Sequence, residues 1–225
     1  MTNCVKYWLK LTRMGDHRYP KHSYLMLKRL HESGRKTWAG SIKDMLFRFG
    51  FGYVWISHDA GDDINFINMF KQRLIDCYSQ NWHNDVETSP KALHYKNFKT
   101  LLNVERYLSL NLAYTYRKAI SNFRCSCHNL MIENVRHIGI DRNLRYCFHC
   151  LKTNTYVIED EYHFFFECPL YNNMRAIYFK DVWLQTCSHN LFYSLMSSTI
   201  TDEVLSIAKY LYHAMNIRKQ ELDIV

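Results

Sequence analysis

The chain has 225 residues, of which 48% are hydrophobic and 22% charged. That is enough apolar content for one or two domains with buried cores, and too much for a disordered chain. Seven glycines and three prolines exclude collagen-like, Gly-rich and Pro-rich classes and favour helices over a turn-dense all-β fold. The net charge of +8 is uneven: residues 1–58 hold 11 Lys/Arg against 3 Asp/Glu, 59–123 hold 8 against 7, 124–152 hold 5 against 2, and 153–225 hold 5 against 9.

In chain order, residues 21–33 place Leu25, Met26, Leu27 and Leu30 among Lys28, Arg29 and Glu32, with Gly34 following as a C-cap, so a helix is predicted. A second fits 37–48, where Trp38, Ile42, Met45, Leu46 and Phe49 recur at steps of three and four, closed by Gly50 and Gly52. The run Phe51–Ile56 is apolar throughout and too short for a helix of its own, so it is predicted as an extended connector or the start of the next turn. Asp62 or Asp63 caps a long amphipathic helix, 63–84, with Ile64, Ile67, Phe70, Leu74, Ile75, Tyr78 and Trp82 on one stripe. Thr88-Ser89-Pro90 ends it and opens a short helix, 91–102, carrying Leu93, Tyr95, Phe98 and Leu101. Another covers 111–123, with Leu112, Tyr116, Ile120 and Phe123.

From 124 to 158 Cys, His, Asn and Gly mix without period, and irregular chain of that length needs something other than a core to order it. A short helix is predicted from Glu161 to Cys168, where the step into Pro169 disfavours helical backbone. Pro169 then opens a helix over 170–184, and Thr201-Asp202-Glu203 opens a last one over 201–219, lined by Val204, Ile207, Leu211 and Met215. The expectation is a mainly α protein of about seven helices. It is divided into a basic helical region (1–123), a zinc-binding module (124–180) and a C-terminal helical segment (181–225). Val182–Thr201, the longest stretch free of charged residues, is half polar and unfit to span a membrane. Lys6 and Lys10 break the apolar pattern of 1–11, so no signal peptide is expected and an intracellular protein is. In a reducing compartment the eight cysteines are then thiols available to metal or packing.

The strongest chemical pattern is Cys147-x2-Cys150 with His163 and Cys168 downstream. Two thiolates two residues apart form a knuckle facing one ion, and a later pair closes a tetrahedron. Three soft thiolates and one imidazole suit zinc, with all four positions filled and none open to substrate water. A chance C-x2-C among buried free cysteines is the alternative. His149, inside the knuckle, is a rival fourth ligand, though a residue between two ligands usually turns outward. Cys125, Cys127 and His128 form a second cluster whose C-x-C spacing chelates poorly and is expected to be packing or polar surface. Cys4, Cys77 and Cys187 have no partner at ligand spacing and are expected in the core.

These residues carry a resemblance. Phe123-Arg124-Cys125-Ser126-x-His128-x-Leu130-x-Ile132-Glu133, Arg136-His137-x-x-Ile140-x-Arg142, Arg145-x-Cys147-x-x-Cys150, Ile158-Glu159-Asp160-Glu161-x-His163-Phe164 and Cys168-Pro169-x-Tyr171 with Arg175 together resemble the post-polymerase segment of non-LTR (LINE-type) retrotransposon reverse transcriptases, including its zinc-binding module. The match covers about 123–178. Upstream, Trp38-Ala39, Ile42-Lys43, Phe49-Gly50-Phe51-Gly52-x-Val54-Trp55 and Phe70–Leu74 are similar to the helical segment preceding that module. Asn134-Val135 departs from it, standing where a glycine is expected before Arg136. The resemblance implies a retroelement-derived fragment without the polymerase.

Gly61-Asp62-Asp63 is the one adjacent aspartate pair, but a helix follows it rather than a strand, so an N-cap is expected and not a two-metal polymerase site. No phosphate-cradling glycine loop or hydrolase motif is present, and no enzyme activity or small-molecule substrate is expected. The acids at 159–161 are expected in a helix first turn, one of them orienting a ligand imidazole. Two readings remain. In one, a zinc-stabilised module binds RNA or DNA through residues 1–58 (Lys6, Lys10, Arg13 and Arg18 among them), through Arg124, Arg136, Arg142 and Arg145, and through Tyr146 and Phe148. In the other, the chain is a structural or protein-interaction helical domain, those arginines capping helices or pairing with Glu133 or Asp141. The sequence sets no oligomeric state.

Overall fold

A computed structural model of the protein describes residues 1–91 and 94–223. Among them it is helical, with one isolated antiparallel bridge, Tyr146 to Ile158, in place of any strand. Two compact units divide at Trp82/His83, within helix α5, and no helix among the described residues is long and apolar enough to cross a membrane.

The first unit holds α1 (Thr2–Thr12), α2 (Tyr19–Glu32), α3 (Trp38–Arg48), α4 (Gly52–Ser57) and the start of α5 (Asp63–Thr88). Gly34 and Gly50 end α2 and α3 at φ +88° and +85°, the left-handed conformation that a Cβ disfavours. The amides of Arg35 and Phe51 then reach back to Leu30 and Leu46 carbonyls, satisfying groups that a helix end leaves open. Thr37 caps α3 by accepting from the Gly40 amide at 3.2 Å while donating to the Leu27 carbonyl at 3.1 Å, which ties α3 to α2. Thr37→Ala should therefore cost about 1–2 kcal/mol, read as a lower urea midpoint for the first unit with unchanged metal content in the second. At the core, Trp8 stacks on Trp55 at 5.5 Å and donates to the Tyr24 hydroxyl at 3.1 Å. Phe51, Phe66 and Phe70 close it edge to face.

The second unit carries α6 (Tyr95–Phe98), α7 (Arg106–Ser109), α8 (Tyr114–Arg124), α9 (Met131–Asn134), α10 (Phe148–Leu151), α11 (Asn172–Tyr178), α12 (Asp181–Gln185), α13 (His189–Met196) and α14 (Thr201–Asp223). The apolar face of α14 (Val204, Ile207, Ala208, Leu211, Ala214) is fully buried and packs against α8 and α11. One core runs from Phe98 through the cysteines to Ala214. The boundaries expected at 123 and 180 do not interrupt it, because the metal-site segment is too short to enclose a core alone.

Several expected elements differ. Residues 2–12, for which no element was predicted, form α1, burying Val5, Trp8, Leu9 and Leu11. Residues 52–57 form α4 rather than a connector, since Val54 and Trp55 lie against the core while Tyr53 and Ile56 face out. The α5 stripe is buried only at Ile67 and Phe70; Ile64, Ile75 and Tyr78 are exposed. The helix expected over 91–102 is the single turn α6, with Leu101 exposed and Leu93 outside the described residues. The helix expected over 170–184 breaks at Phe179, whose extended backbone puts its ring 4.4 Å from Tyr210 and 5.5 Å from Trp183. Residues 189–196, not predicted as helical, form α13. Cys4 and Cys187 are exposed and Cys77 half-buried, not core.

Candidate metal centre

The knuckle is built by backbone. The Cys147 amide donates to the Val157 carbonyl at 2.7 Å and the Glu159 amide to the Arg145 carbonyl at 2.9 Å. These bonds close a loop whose turn residue, Asn154, sits at φ +56°, a conformation Asn tolerates better than most. The amides of Thr153 and Thr155 both donate to the Cys150 carbonyl at 3.0 Å, which holds Cys150 facing inward.

The second ligand pair depends on a change of helical pitch. Residues 163–167 form a π-helical turn in which the Cys168 amide donates to the His163 carbonyl at 2.8 Å, five residues back. In an α-helix, at 3.6 residues per turn, residue 168 would point roughly 140° away from residue 163. The wider turn brings the two to one side, a use typical of π-bulges at functional sites. It also frees the Phe164 and Phe165 carbonyls, which accept from the Tyr210 hydroxyl at 2.7 and 3.2 Å. The Cys168 carbonyl accepts from Arg175. α11 and α14 thus hold the turn in place.

Cys147, Cys150, His163 and Cys168 are all buried, and their ligating atoms lie within 4.8 Å of one another. Cys147 Sγ is 3.7 Å from Cys168 Sγ, Cys150 Sγ is 4.0 Å from Cys168 Sγ, and Cys150 Sγ is 3.4 Å from His163 Nε2. A tetrahedral ion with metal–sulfur bonds of about 2.3 Å and a metal–nitrogen bond of about 2.0 Å requires sulfurs about 3.8 Å apart and sulfur to nitrogen about 3.5 Å. The three separations are close to the edges of such a shell and the other pairs lie within 4.8 Å, so these four residues could hold a metal ion. An ion held by all four would have no position left for a substrate, the arrangement of structural rather than catalytic sites.

Electrostatics favour the same conclusion. The hydrogen bond from Cys168, opposed by burial and assisted by His163, holds the Cys147 thiol down to about 3. Cys168, donating to that thiolate, is pushed up, and burial with the Cys147 charge pushes Cys150 to about 11. Three buried thiols can all ionise together only against a cation. Burial lowers His163, but its hydrogen bonds to Cys147 and Glu167 raise it overall.

The carboxylate behind the ligand imidazole is Glu167, not one of the acids at 159–161: His163 Nδ1 lies 3.2 Å from Glu167 Oε2. That arrangement leaves Nε2 for the metal. The spacing i to i+4 on one helix was the signal available for it. Asp160 instead accepts from the His163 amide at 2.8 Å. Glu159 accepts two bonds of 2.7 Å from Arg218. Glu161 is 3.1 Å from His128 Nε2 and 3.5 Å from His94 Nε2, and accepts from the Ser126 hydroxyl at 2.9 Å. This buried cluster around Glu161 was invisible to spacing, since His94, Ser126 and His128 come from separate segments. His149 faces Glu221 at 3.2 Å and is not brought into the shell. Cys125 and Cys127 are exposed, and the His128 side chain is buried on Glu161.

Burial opposes ionisation of Glu161, yet His128 and His94 hold its carboxyl down to about 2 from 4.5. A depressed carboxylate contributes stability that is present above its ordinary pKa and lost as pH falls towards the folded-state value. Stability should therefore decline between pH 4.5 and 2, and Glu161→Gln should flatten that decline. An acid limb of identical slope in the variant would contradict this role.

The four arginines expected at a nucleic-acid surface do not behave alike. Arg124 is buried, paired with Glu105 at 2.7 Å and lying over the rings of Phe98 and Tyr107, so it cannot reach a phosphate. Arg145 is half-buried, and its guanidinium donates to the Ile140 and Ile132 carbonyls. Arg136 pairs with Glu133 at 3.7 Å. Arg142 is exposed and unpaired. Tyr146 packs edge to face on Tyr156, and Phe148 lies beneath Lys152. Asp62 caps α5 through the Ile64 amide at 2.9 Å, and Asp63 pairs with Arg13 at 2.8 Å, so both aspartates of the Gly-Asp-Asp run are engaged structurally. No family model matches the chain, and no curated protein or solved structure is similar to it.

Proposed function

We propose that the protein is a zinc-stabilised, non-catalytic nucleic-acid-binding module related to the post-polymerase segment of LINE-type retroelements. Zinc is the ion because three thiolates and an imidazole in a closed tetrahedron suit it better than harder or redox-active metals. The observation that carries the nucleic-acid reading is the state of the eleven Lys/Arg of residues 1–58. None is buried, and among the described residues only Arg13 forms an ion pair. Uncompensated cations at that density form a phosphate-attracting surface. Cations for phosphate binding therefore come mainly from the first unit, with the exposed Arg142, Lys118 and Lys219 the candidates from the second, and the metal orders the chain without touching the ligand.

The test is affinity for single-stranded RNA and duplex DNA against salt. Log affinity should fall linearly with log salt, by about 0.7 to 0.9 per phosphate contacted. Lys6→Glu with Lys10→Glu should weaken all sequences alike, since phosphate contacts position without specifying. Binding that is insensitive to salt, or undetectable at low salt, would favour the protein-interaction reading, for which the exposed Ile75 and Tyr78 of α5 supply the surface.

A further inference from the structure

A cavity of about 610 Å³ in the second unit opens between α8 and α14. Its size is that of an ordinary small-ligand pocket. Lys118, Arg218, Lys219 and His128 line it, together with Tyr114 and Asn122, and among the described residues no aspartate or glutamate does. Arg218 is engaged by Glu159, whereas Lys118 and Lys219 are exposed and, among the described side chains, have no acidic partner within ion-pair distance. His128 is the second observation. Its side chain is 2% exposed, its Nε2 is held by Glu161, and its buried Nδ1 has no hydrogen-bond partner. A buried polar atom left unpaired costs free energy that a ligand group or water can recover. Tyr114, 74% exposed beside the lysines, offers a ring face, and the apolar side chains of Ala119, Phe123 and Met215 complete the lining.

We infer that this cleft binds one nucleotide, the phosphate held by Lys118 and Lys219 and the base held against Tyr114 with an edge towards His128. A planar ring with a charged phosphate is the ligand whose two ends match an aromatic, amide-bearing wall and a pair of exposed ammonium groups. The nucleotide comes either free or as one unit of a strand. The strand as source rests on the nucleic-acid reading above; the free nucleotide does not.

The experiment is calorimetric titration of the full metal-loaded chain with AMP, CMP, adenosine, inorganic phosphate and a short oligoadenylate. AMP or CMP should bind at least tenfold more tightly than adenosine or phosphate alone. The double variant Lys118→Glu/Lys219→Glu should lose at least tenfold, and Tyr114→Ala about fivefold or more. Lys71→Glu, an exposed lysine of the first unit, should leave mononucleotide binding unchanged. Oligoadenylate binding that is lost in the cleft variant supports the strand as source; mononucleotide binding with no strand binding supports the free nucleotide and removes the nucleic-acid reading alone. Strand binding unchanged in the cleft variant, without mononucleotide binding, overturns the cleft and leaves that reading standing. Equal binding of phosphate and nucleotide overturns the base-recognition claim.

Discussion

Cys168→Ser is expected to abolish metal binding and unfold the second unit while the first stays folded. Structural zinc contributes an apparent ~10–16 kcal/mol in small modules, and a whole domain is stable by only about 5–15 kcal/mol. Cys168 shares shell edges with both knuckle thiols, and its backbone carbonyl anchors Arg175. All three cysteines and the π-helical phenylalanines belong to one core with Tyr210 and Trp183, so loss of the ion loosens everything packed on them. The first unit's core contains none of these residues. Hydrogen exchange on the full chain should thus show protection lost in residues 94–223 and kept in 2–70. Two controls separate this from general thiol damage. Cys187→Ser, at an exposed cysteine, and His149→Ala, at the residue turned towards Glu221, should keep about one equivalent of metal.

The second large effect is at Glu159 and Arg218, a buried bidentate pair whose side chains are 4% and 5% exposed. Glu159 also accepts from the Met131 amide at 2.7 Å, so one carboxylate joins α9 and α14 to the strand of chain leading into His163. Glu159→Ala leaves a guanidinium buried without its counter-charge and should cost about 3–5 kcal/mol. Arg218→Met added to Glu159→Leu should recover most of that loss, because the penalty arises from the orphaned charge rather than from any net strength of the pair. A single substitution costing under about 1 kcal/mol would mean that water reaches the site.

The convergence of the four candidate ligands was legible because ligand spacing is local chemistry: a two-residue knuckle and a later His/Cys pair name their atoms without reference to the fold. The π-turn that makes His163 and Cys168 converge was not legible. It is stabilised by Tyr210, 46 residues from the Phe164 carbonyl it binds, and by Arg175 of the next helix. Helices with a periodic apolar stripe, α3, α8 and α14, were read within a few residues of their ends. α4 is hard to read because an all-apolar run has no period, and α1 because Lys6 and Lys10 interrupt an apolar pattern only two turns long. The break at Phe179 arises from one ring entering the core, which no pattern of hydrophobicity encodes.

Charge was the least legible quantity. Arg124 stands in a basic stretch yet is buried on Glu105, while the cations of the first unit stand open. A count of charges says how many are present; only packing says which remain available. The exposed second half of the α5 stripe teaches the same for apolar residues, since Ile75 and Tyr78 fit a buried face that nothing in the first unit covers.

The central claim, that Cys147, Cys150, His163 and Cys168 form one closed metal shell, is tested most directly by X-ray absorption at the zinc edge of the purified full chain. The account predicts about three sulfurs at roughly 2.3 Å and one nitrogen at roughly 2.0 Å per zinc, at about one equivalent of metal. A shell of oxygen and nitrogen alone, or a protein that folds fully and binds no metal with all four side chains intact, would contradict it.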